Sequence, residues 1–100
     1  GSAVEHVHPF ELLRNHPNPF NASTNIPVVL YEPGMVDVAV YDSLGRRVTT
    51  LASGFLRAGT HTILWKGEDD SGRAAASGVY RYRVAMAGKG AISRPMLYLR

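Results

Sequence analysis

The acidic loop Glu68-Asp69-Asp70 is the stretch whose side chains are best suited to bind a metal ion. Carboxylate oxygens are the ligands that Ca²⁺ prefers in proteins, and Gly72 bounds the loop. The spacing does not match an EF-hand loop, and the same residue types are common in turns between strands. We therefore favour a solvated turn over a calcium site, and a calcium titration that leaves the melting temperature unchanged would exclude the metal.

The four histidines are the next candidates, because imidazole serves both as a general base and as a metal ligand. None is arranged with a serine and an acid in a recognised catalytic order, and no His-Glu-x-x-His sequence occurs. His6 and His8 can share a metal ion, but a histidine pair in a tail is more often incidental. Gly88-Lys89-Gly90 lacks the remaining glycine and the Ser/Thr of a phosphate-binding loop. The sequence thus predicts no catalytic residue, no cofactor and no metal ion.

The charge of the chain points to a basic surface without a defined polyanion site. Lysine and arginine total 11 and aspartate and glutamate 8, which gives a net charge of +3. The basic residues are scattered along the chain and form no concentrated stripe, so we favour a solvated surface over a site for nucleic acid. Because the chain has no cysteine, stability has to come from packing.

Alternation of apolar and polar residues dominates the chain, which is the pattern of strands with one buried face. Between residues 35 and 41, for example, Val36, Val38 and Val40 share one face while Asp37 and Ala39 share the other. Turn residues separate seven such stretches, which are residues 10–14, 25–31, 35–41, 46–51, 60–66, 79–86 and 92–99. Seven short strands with frequent turns predict an all-β sandwich of two antiparallel sheets.

The position of each strand within its sheet follows from its residues. The three clearest strands, residues 35–41, 60–66 and 79–86, are predicted to form the sheet centres. The strands that contain Pro27 and Pro95 are predicted to lie at sheet edges, because proline lacks the amide hydrogen that a central ladder needs.

The chain is long enough for one hydrophobic core, so residues 10–100 are predicted to be a single domain. Gly1 and Ser2 resemble a cloning remnant, and the rest of residues 1–9 is interpreted as a linker tail. The apolar runs are far shorter than the roughly 20 residues that cross a bilayer, so we expect no membrane span.

Several segments resemble one protein family. Residues 15–26 read Asn-His-Pro-Asn-Pro-Phe-Asn-Ala-Ser-Thr-Asn-Ile, which is similar to the opening of the type A C-terminal sorting domains of the bacterial type IX secretion system. Residues 40–48, 58–67 and 76–83 follow in the family's order, and the resemblance covers roughly residues 12–100. The related Ig-like domain of flagellar hook-capping proteins has turns similar to Trp65-Lys66-Gly67 and Ser77-Gly78-Val79-Tyr80.

The resemblance implies an immunoglobulin-like sandwich at the C-terminus of a larger secreted protein. Such a domain directs passage from the periplasm across the outer membrane of a Gram-negative bacterium, and the cargo is released or attached to surface lipopolysaccharide. The implied partners are secretion-machinery proteins of the outer membrane, with no nucleic acid, and we expect a monomer that is peripheral to the cell surface. The positions that the resemblance marks as sorting-motif candidates are Pro17, Asn18, Pro19, Phe20, Gly45, Gly59, Trp65, Gly78, Tyr80, Arg94, Met96, Leu97 and Leu99.

Some of these candidates also have predicted structural roles. Phe20 is expected to plug the end of the core, and Trp65 to lie on the inward face of its strand. Gly45 ends a predicted hairpin turn and is expected to have a positive φ. His61 shares the inward parity of Trp65 and is interpreted as a hydrogen-bonded structural residue.

Two other function classes stay open at this point. The first is a carbohydrate-binding module or a passive spacer of a secreted polysaccharide-degrading enzyme. Carbohydrate binding, unlike the spacer role, requires Trp65 and the tyrosines to be exposed for stacking. An assembly scaffold similar to the hook cap predicts self-association or dependence on a filament partner. A final hypothesis, strand addition of a partner to an exposed last strand, follows from the physics of sheet edges.

Overall fold

A computed structural model of the chain describes residues 9–100. The predicted remnant and tail, apart from Pro9, and the pair His6 and His8 lie outside the described residues. All seven predicted strands are present, although the fourth runs on to Leu56 and does not end at residue 51. In chain order they are β1 (Phe10–Leu12), β2 (Thr24–Leu30), β3 (Gly34–Tyr41), β4 (Arg47–Leu56), β5 (Gly59–Trp65), β6 (Gly78–Met86) and β7 (Gly90–Tyr98).

The strands form two antiparallel sheets that face each other, so the predicted all-β sandwich is confirmed. One sheet has three strands in the order β1-β2-β5, and the other has four in the order β4-β3-β6-β7. Between residues 9 and 100 no helix has the length and apolar character needed to span a bilayer.

The core lies between the sheets and is filled by alternate residues of each strand. On β3, Val36, Val38 and Val40 are buried as predicted. Ala39 lies on the opposite face but is also buried, because its small side chain sits between the longer neighbours Thr50 and Arg83 on the flanking strands. The inward face therefore follows the sequence pattern closely.

Of the five predictions about strand positions within the sheets, three are correct and two are wrong. As expected, β3 and β6 are central, and β7 with Pro95 lies at an edge. In the three-stranded sheet, however, β2 with Pro27 is central and β5 is an edge strand. The carbonyl of Pro27 accepts the amide of Leu13, just beyond the end of β1. Because the N and O atoms of a strand residue point to the same side, the Pro27 nitrogen also faces Leu13. The carbonyl of Leu13 accepts the Tyr82 hydroxyl instead of an amide hydrogen, which proline lacks.

The register of the strands places several loops at one end of the sandwich. Tyr41 pairs with Arg81, Gly78 with Tyr98, and Thr24 with Trp65, so all three pairs lie toward this end. We call it the motif end, and it is formed by residues 15–21, the hairpin of residues 42–46 and the C-terminal part of β7.

Candidate functional site

Residues 17–20, which we call the corner, lie along the terminal part of β7. The amide of Phe20 donates to the carbonyl of Leu97 at 3.1 Å, and the amide of Leu99 donates to the carbonyl of Phe20 at 2.9 Å. The Leu97 amide also donates to the side-chain oxygen of Asn18 at 3.0 Å, across a sequence separation of 79 residues. Pro17 and Pro19 flank Asn18 and limit its backbone freedom, and the peptide bond before each proline is cis. The corner and the last strand thus form one unit.

Four aromatic rings fill the core behind the corner. Phe20 stacks on Tyr98 with ring centroids 4.8 Å apart, and it meets Trp65 edge-on at 5.5 Å. Trp65 in turn contacts Tyr80 edge-on at 5.2 Å, and its indole N–H donates to the carbonyl of Glu68 at 2.9 Å. The predictions that Phe20 plugs the end of the core and that Trp65 is a core residue are both confirmed.

Burial of these rings removes the aromatic platform around Trp65 on which the carbohydrate hypothesis depended, while Tyr31 and Tyr41 stay partly exposed. Trp65 is 1% exposed, and Tyr80, Tyr82 and Tyr98 are buried as well. A sugar can stack only on a ring face that solvent can reach. These residues therefore cannot form the stacking platform.

Gly67 lies directly beneath the ring of Tyr98, and it is not among the site residues predicted from the sequence. Its φ is +70°, and a Cβ atom there would lie 2.7 Å from Cζ and 2.8 Å from the hydroxyl oxygen of Tyr98. Both the backbone conformation and the space therefore require glycine. The available signal was its place directly after Trp65-Lys66, in a turn that the resemblance covers.

A buried polar network holds the chain as it enters the corner. The Tyr82 hydroxyl donates to the carbonyl of Leu13 at 2.8 Å and accepts the amide of Asn15 at 3.0 Å. The Asn15 side chain donates to the Thr24 hydroxyl at 3.0 Å, which donates to the carbonyl of Pro17 at 2.8 Å. Burial raises the pKa of Tyr82, which keeps this hydroxyl protonated as a donor. Because Tyr82 and Thr24 belong to different sheets, the network ties the two sheets together.

The side chains of this network, those of Asn15, Thr24 and Tyr82, are not among the site residues predicted from the sequence, although the network also includes the carbonyl of Pro17. The inward parity of Tyr82 was a usable signal, since a buried tyrosine hydroxyl needs a hydrogen-bond partner. Its partner Asn15 is 67 residues away, so the pairing itself could not be derived from local sequence.

The hairpin of residues 42–46 completes the motif end. Gly45 has a φ of +81°, as predicted, and its amide donates to the carbonyl of Asp42 at 3.0 Å. The Asp42 carboxylate accepts the amides of Leu44 and Arg46, each at 2.9 Å. These bonds, above all the one from the Arg46 amide, and the Arg46 side chain hold the pKa of Asp42 below its usual value.

Most of the predicted sorting residues come together at the motif end, and two do not. Gly59 lies at the opposite end, where it pairs with Leu30. Arg94 lies midway along β7 and donates to the carbonyl of Leu12 at 3.5 Å. The residues that do converge are Pro17, Asn18, Pro19, Phe20, Gly45, Trp65, Gly78, Tyr80, Met96, Leu97 and Leu99.

The outer edge of β7 is closed near its end, which contradicts the strand-addition hypothesis for this segment. The outward amide of Leu97 is already hydrogen-bonded to the Asn18 side chain, and its carbonyl to the Phe20 amide. The Leu99 amide is hydrogen-bonded to the Phe20 carbonyl. The backbone N and O atoms of Pro95 point to the same outer edge as those of Leu97, but proline has no amide hydrogen to donate. A partner strand would find no free donor from residue 95 to residue 99 on this edge.

The acidic loop also has a structural use. The Asp69 carboxylate accepts the amides of Ser71 and Arg73 at 2.9 and 3.0 Å, and the Ser71 hydroxyl at 2.7 Å. The Asp70 amide donates to the carbonyl of Val48 at 3.2 Å, which covers part of the outer edge of β4. The loop is a turn, as interpreted from the sequence, and in the part of the chain that the structure covers no three metal-ligating side chains gather.

His61 has the structural role expected for it. It is half-buried on β5, and its Nε2 atom lies 2.7 Å from the carbonyl oxygen of Arg57 at the start of the turn that leads into the strand. Its side chain therefore stabilises the turn between β4 and β5.

Apolar surface surrounds the unit formed by the corner and the last strand. A groove of about 370 Å³ is lined by Pro17, Pro19, Phe20, Asn21 and Leu99. Leu99 is 48% exposed in this groove. An apolar surface held rigidly by backbone hydrogen bonds is suited to contact with another protein.

A second, smaller groove of about 230 Å³ borders Asn18. It is lined by Asn18, Val79, Pro95, Met96 and Leu97. Because Asn18 borders this groove and its two flanking prolines border the first, the corner lies beside both apolar grooves.

Comparison with known proteins gives a family and several structural relatives. Residues 22–90 match the family described as the FlgD Ig-like domain. The chain is 31% identical over 80 residues to the basal-body rod modification protein FlgD of Salmonella typhimurium, and the alignment covers 77% of this chain. The chain spans only 34% of the length of that relative.

Two solved structures from Porphyromonas gingivalis share the fold. Dimeric latent PorU matches with a TM-score of 0.75 and 23% identity, over 96% of this chain and 10% of PorU. PorZ, described as an essential bacterial surface component of the type-IX secretion system, matches with a TM-score of 0.60 and 22% identity, over 87% of this chain and 11% of PorZ. At these identities the likeness establishes the fold alone. The family match covers well over half of the chain, and on that basis the chain belongs to the FlgD Ig-like domain family.

Proposed function

We propose that this domain is a non-catalytic C-terminal module that directs a larger protein across the outer membrane and attaches it at the cell surface. The observation that carries the proposal is the pairing of the corner with the last strand, through Asn18, Phe20, Leu97 and Leu99. The two segments with the most specific resemblance to sorting domains thus support each other in one folded unit. The fold shared with PorZ, a surface component of such a secretion system, is in keeping with this role.

Recognition in this proposal occurs through protein contact at the motif end. The corner fixes the backbone of Leu97 and Leu99, so a secretion-machinery protein meets a surface that is already ordered. Preorganisation of this kind lowers the entropy that binding would otherwise cost. The exposed side chain of Leu99 and the rings of Pro17 and Pro19 supply the apolar contact area. The domain itself acts as a monomer.

The test is a fusion of residues 4–100 to a fluorescent reporter with an export leader. The fusion is expressed in a host with a working type IX system and in a host without one. We expect delivery to the surface or medium only in the first host, and retention in the periplasm when residues 96–100 are deleted. Export of the truncated fusion, or equal retention of the intact fusion in both hosts, contradicts the proposal.

A matched pair of substitutions separates recognition from folding. Leu99→Asp places a charge in the groove beside the corner, whereas Leu44→Asp places the same charge on the exposed tip of the hairpin. We expect Leu99→Asp to retain the fusion in the periplasm and Leu44→Asp to leave export unchanged. Thermal melts of both isolated domains check that each variant is folded. Equal export of two folded variants would place the recognised surface elsewhere.

A second candidate function, an assembly scaffold, is favoured by the family match to the FlgD Ig-like domain. A scaffold of this kind associates with itself or with a filament partner. Sedimentation of the purified domain over a range of concentrations distinguishes the two functions. We expect a single monomeric species for a sorting module. A concentration-dependent oligomer, together with export that does not depend on the type IX system, supports the scaffold.

A further inference from the structure

The outer face of the four-stranded sheet carries a groove that is separate from the corner. Its volume is about 540 Å³, and it runs across β7, β6 and β3 toward the hairpin. Arg81 and Arg83 project into it from β6, because alternate residues of a strand share one face. Tyr41, Val79 and Ser93 form its other sides.

The arginines of this groove have no acidic partner. In the described range 9–100 the ion pairs join Arg46 to Asp42, Arg47 to Asp37 and Lys89 to Glu32, and none includes Arg81 or Arg83. The side chain of Arg81 makes one long contact of 3.4 Å to the Ser93 hydroxyl.

Asp42 borders the groove but cannot neutralise these two arginines. Its carboxylate is already bonded to the backbone and side chain of Arg46. The groove therefore carries two unneutralised guanidinium groups beside an aromatic ring and two hydroxyl groups, those of Ser43 and Ser93.

We propose that this groove binds an extended acidic peptide segment of a partner protein, with carboxylates on alternate residues. Residues two apart on a strand are separated by about 6.7 Å, so the Cα atoms of Arg81 and Arg83, whose side chains share one face, have that repeat. Alternate carboxylates of an extended peptide have the same repeat, and each can accept two hydrogen bonds from one guanidinium. This binding site does not depend on the secretory role proposed above.

The number of charges favours a peptide over a longer polyanion. A nucleic acid or polyphosphate is bound by many cations in a row, whose neutralisation supplies most of the affinity. Here only Arg81 and Arg83 are unneutralised, and the third arginine of this face, Arg47, is paired with Asp37. Val79 and the ring of Tyr41 add apolar contacts that suit side chains between the carboxylates.

The test is a fluorescence anisotropy titration of the 100-residue chain with a labelled hexapeptide in which threonine alternates with glutamate. The control peptide has glutamine in place of glutamate. We expect saturable binding of the glutamate peptide only, and at least about tenfold weaker binding to the double variant Arg81→Gln/Arg83→Gln, since two charge-assisted contacts are lost. The matched control, Arg57→Gln/Lys66→Gln, removes the same charge from exposed positions elsewhere and is expected to bind like the parent chain.

Two further measurements locate the site and guard against misfolding. The variant Arg81→Lys/Arg83→Lys keeps both charges but loses the paired hydrogen bonds, so its affinity is expected to lie between those of the parent and the glutamine variant. Amide chemical shifts of the parent chain are expected to change at Tyr41, Val79 and Ser93 on addition of the peptide. Equal binding by both double glutamine variants, shift changes confined to other strands, or tighter binding of inorganic polyphosphate than of the peptide would overturn the proposal.

Discussion

Phe20 stacks on Tyr98 with ring centroids 4.8 Å apart and ring planes inclined by only 17°. The first of these residues belongs to the corner and the second to the last strand, and their backbones are bridged beside the stack. The contact therefore joins the start and the end of the domain through both backbone and side chains. A change in the packing of either residue should therefore alter the conformation of the proposed recognition surface.

The close approach of Gly67 to Tyr98 predicts that Gly67→Ala destabilises the domain. Alanine at a positive φ costs about 1 to 2 kcal/mol, and the overlap with the Tyr98 ring adds about 1 to 3 kcal/mol. Gly72→Ala is the matched control, because Gly72 also has a positive φ, +85°, but no atom lies within 4 Å of the added carbon. Urea unfolding of both variants measures the difference, and equal losses would mean that Tyr98 moves aside without cost.

The buried network predicts unequal effects for two tyrosine substitutions. Tyr82→Phe leaves the buried amide of Asn15 without its acceptor and the Leu13 carbonyl without its donor, which is expected to cost about 2 to 3 kcal/mol of unfolding free energy. Tyr80→Phe removes a single bond to the carbonyl of the exposed residue Ala76 and is expected to cost about 0.5 to 1.5 kcal/mol. Denaturant unfolding checks the order, and a larger loss for Tyr80→Phe would contradict the role assigned to the network.

The lowered pKa of Asp42 predicts that the domain loses stability at low pH. The unfolded chain, in which the carboxyl has its ordinary pKa near 3.8, binds this proton more readily than the folded chain does. The contribution of Asp42 is therefore fully present above that pKa and is lost as the pH falls through the lower folded value. The Asp69 carboxyl behaves in the same way, since hydrogen bonds from Ser71 and from the amide of Arg73 lower its pKa as well.

Asp42→Asn tests this dependence, because the amide oxygen can still accept the two backbone bonds while the titrating group is gone. We expect the variant to be less stable than the parent chain at neutral pH, with the difference shrinking as the pH falls below the ordinary pKa of 3.8 and through the lower folded value. Urea unfolding at a series of pH values makes the comparison. A difference that stays constant over this range would show that the carboxyl charge does not contribute.

Burial of the single tryptophan predicts its fluorescence behaviour. Trp65 is 1% exposed, so acrylamide should quench its emission far less in the folded domain than in urea. For the same reason soluble polysaccharides should leave the emission unchanged. Strong quenching in the folded state would mean that the ring is accessible and would restore the carbohydrate hypothesis.

The pattern of residues alone specifies the number of strands, their inward faces, the positive φ of Gly45 and the core position of Trp65. Each of these depends on local properties, because alternation sets which side chains share a face and turn residues set where strands end. The sandwich follows from them, since seven half-apolar strands can bury their inner faces only against one another.

The packing of the complete chain sets which strand lies at the centre of the smaller sheet and which distant residues meet. Pro27 is tolerated in the central strand because the carbonyl of Leu13 that faces it accepts the Tyr82 hydroxyl, and nothing in the residues around Pro27 specifies that contact. The bond from Leu97 to Asn18, the network around Tyr82 and the arginine groove likewise join segments that are distant in sequence. Such pairings depend on how the two complete sheets pack, which no local pattern of residues contains.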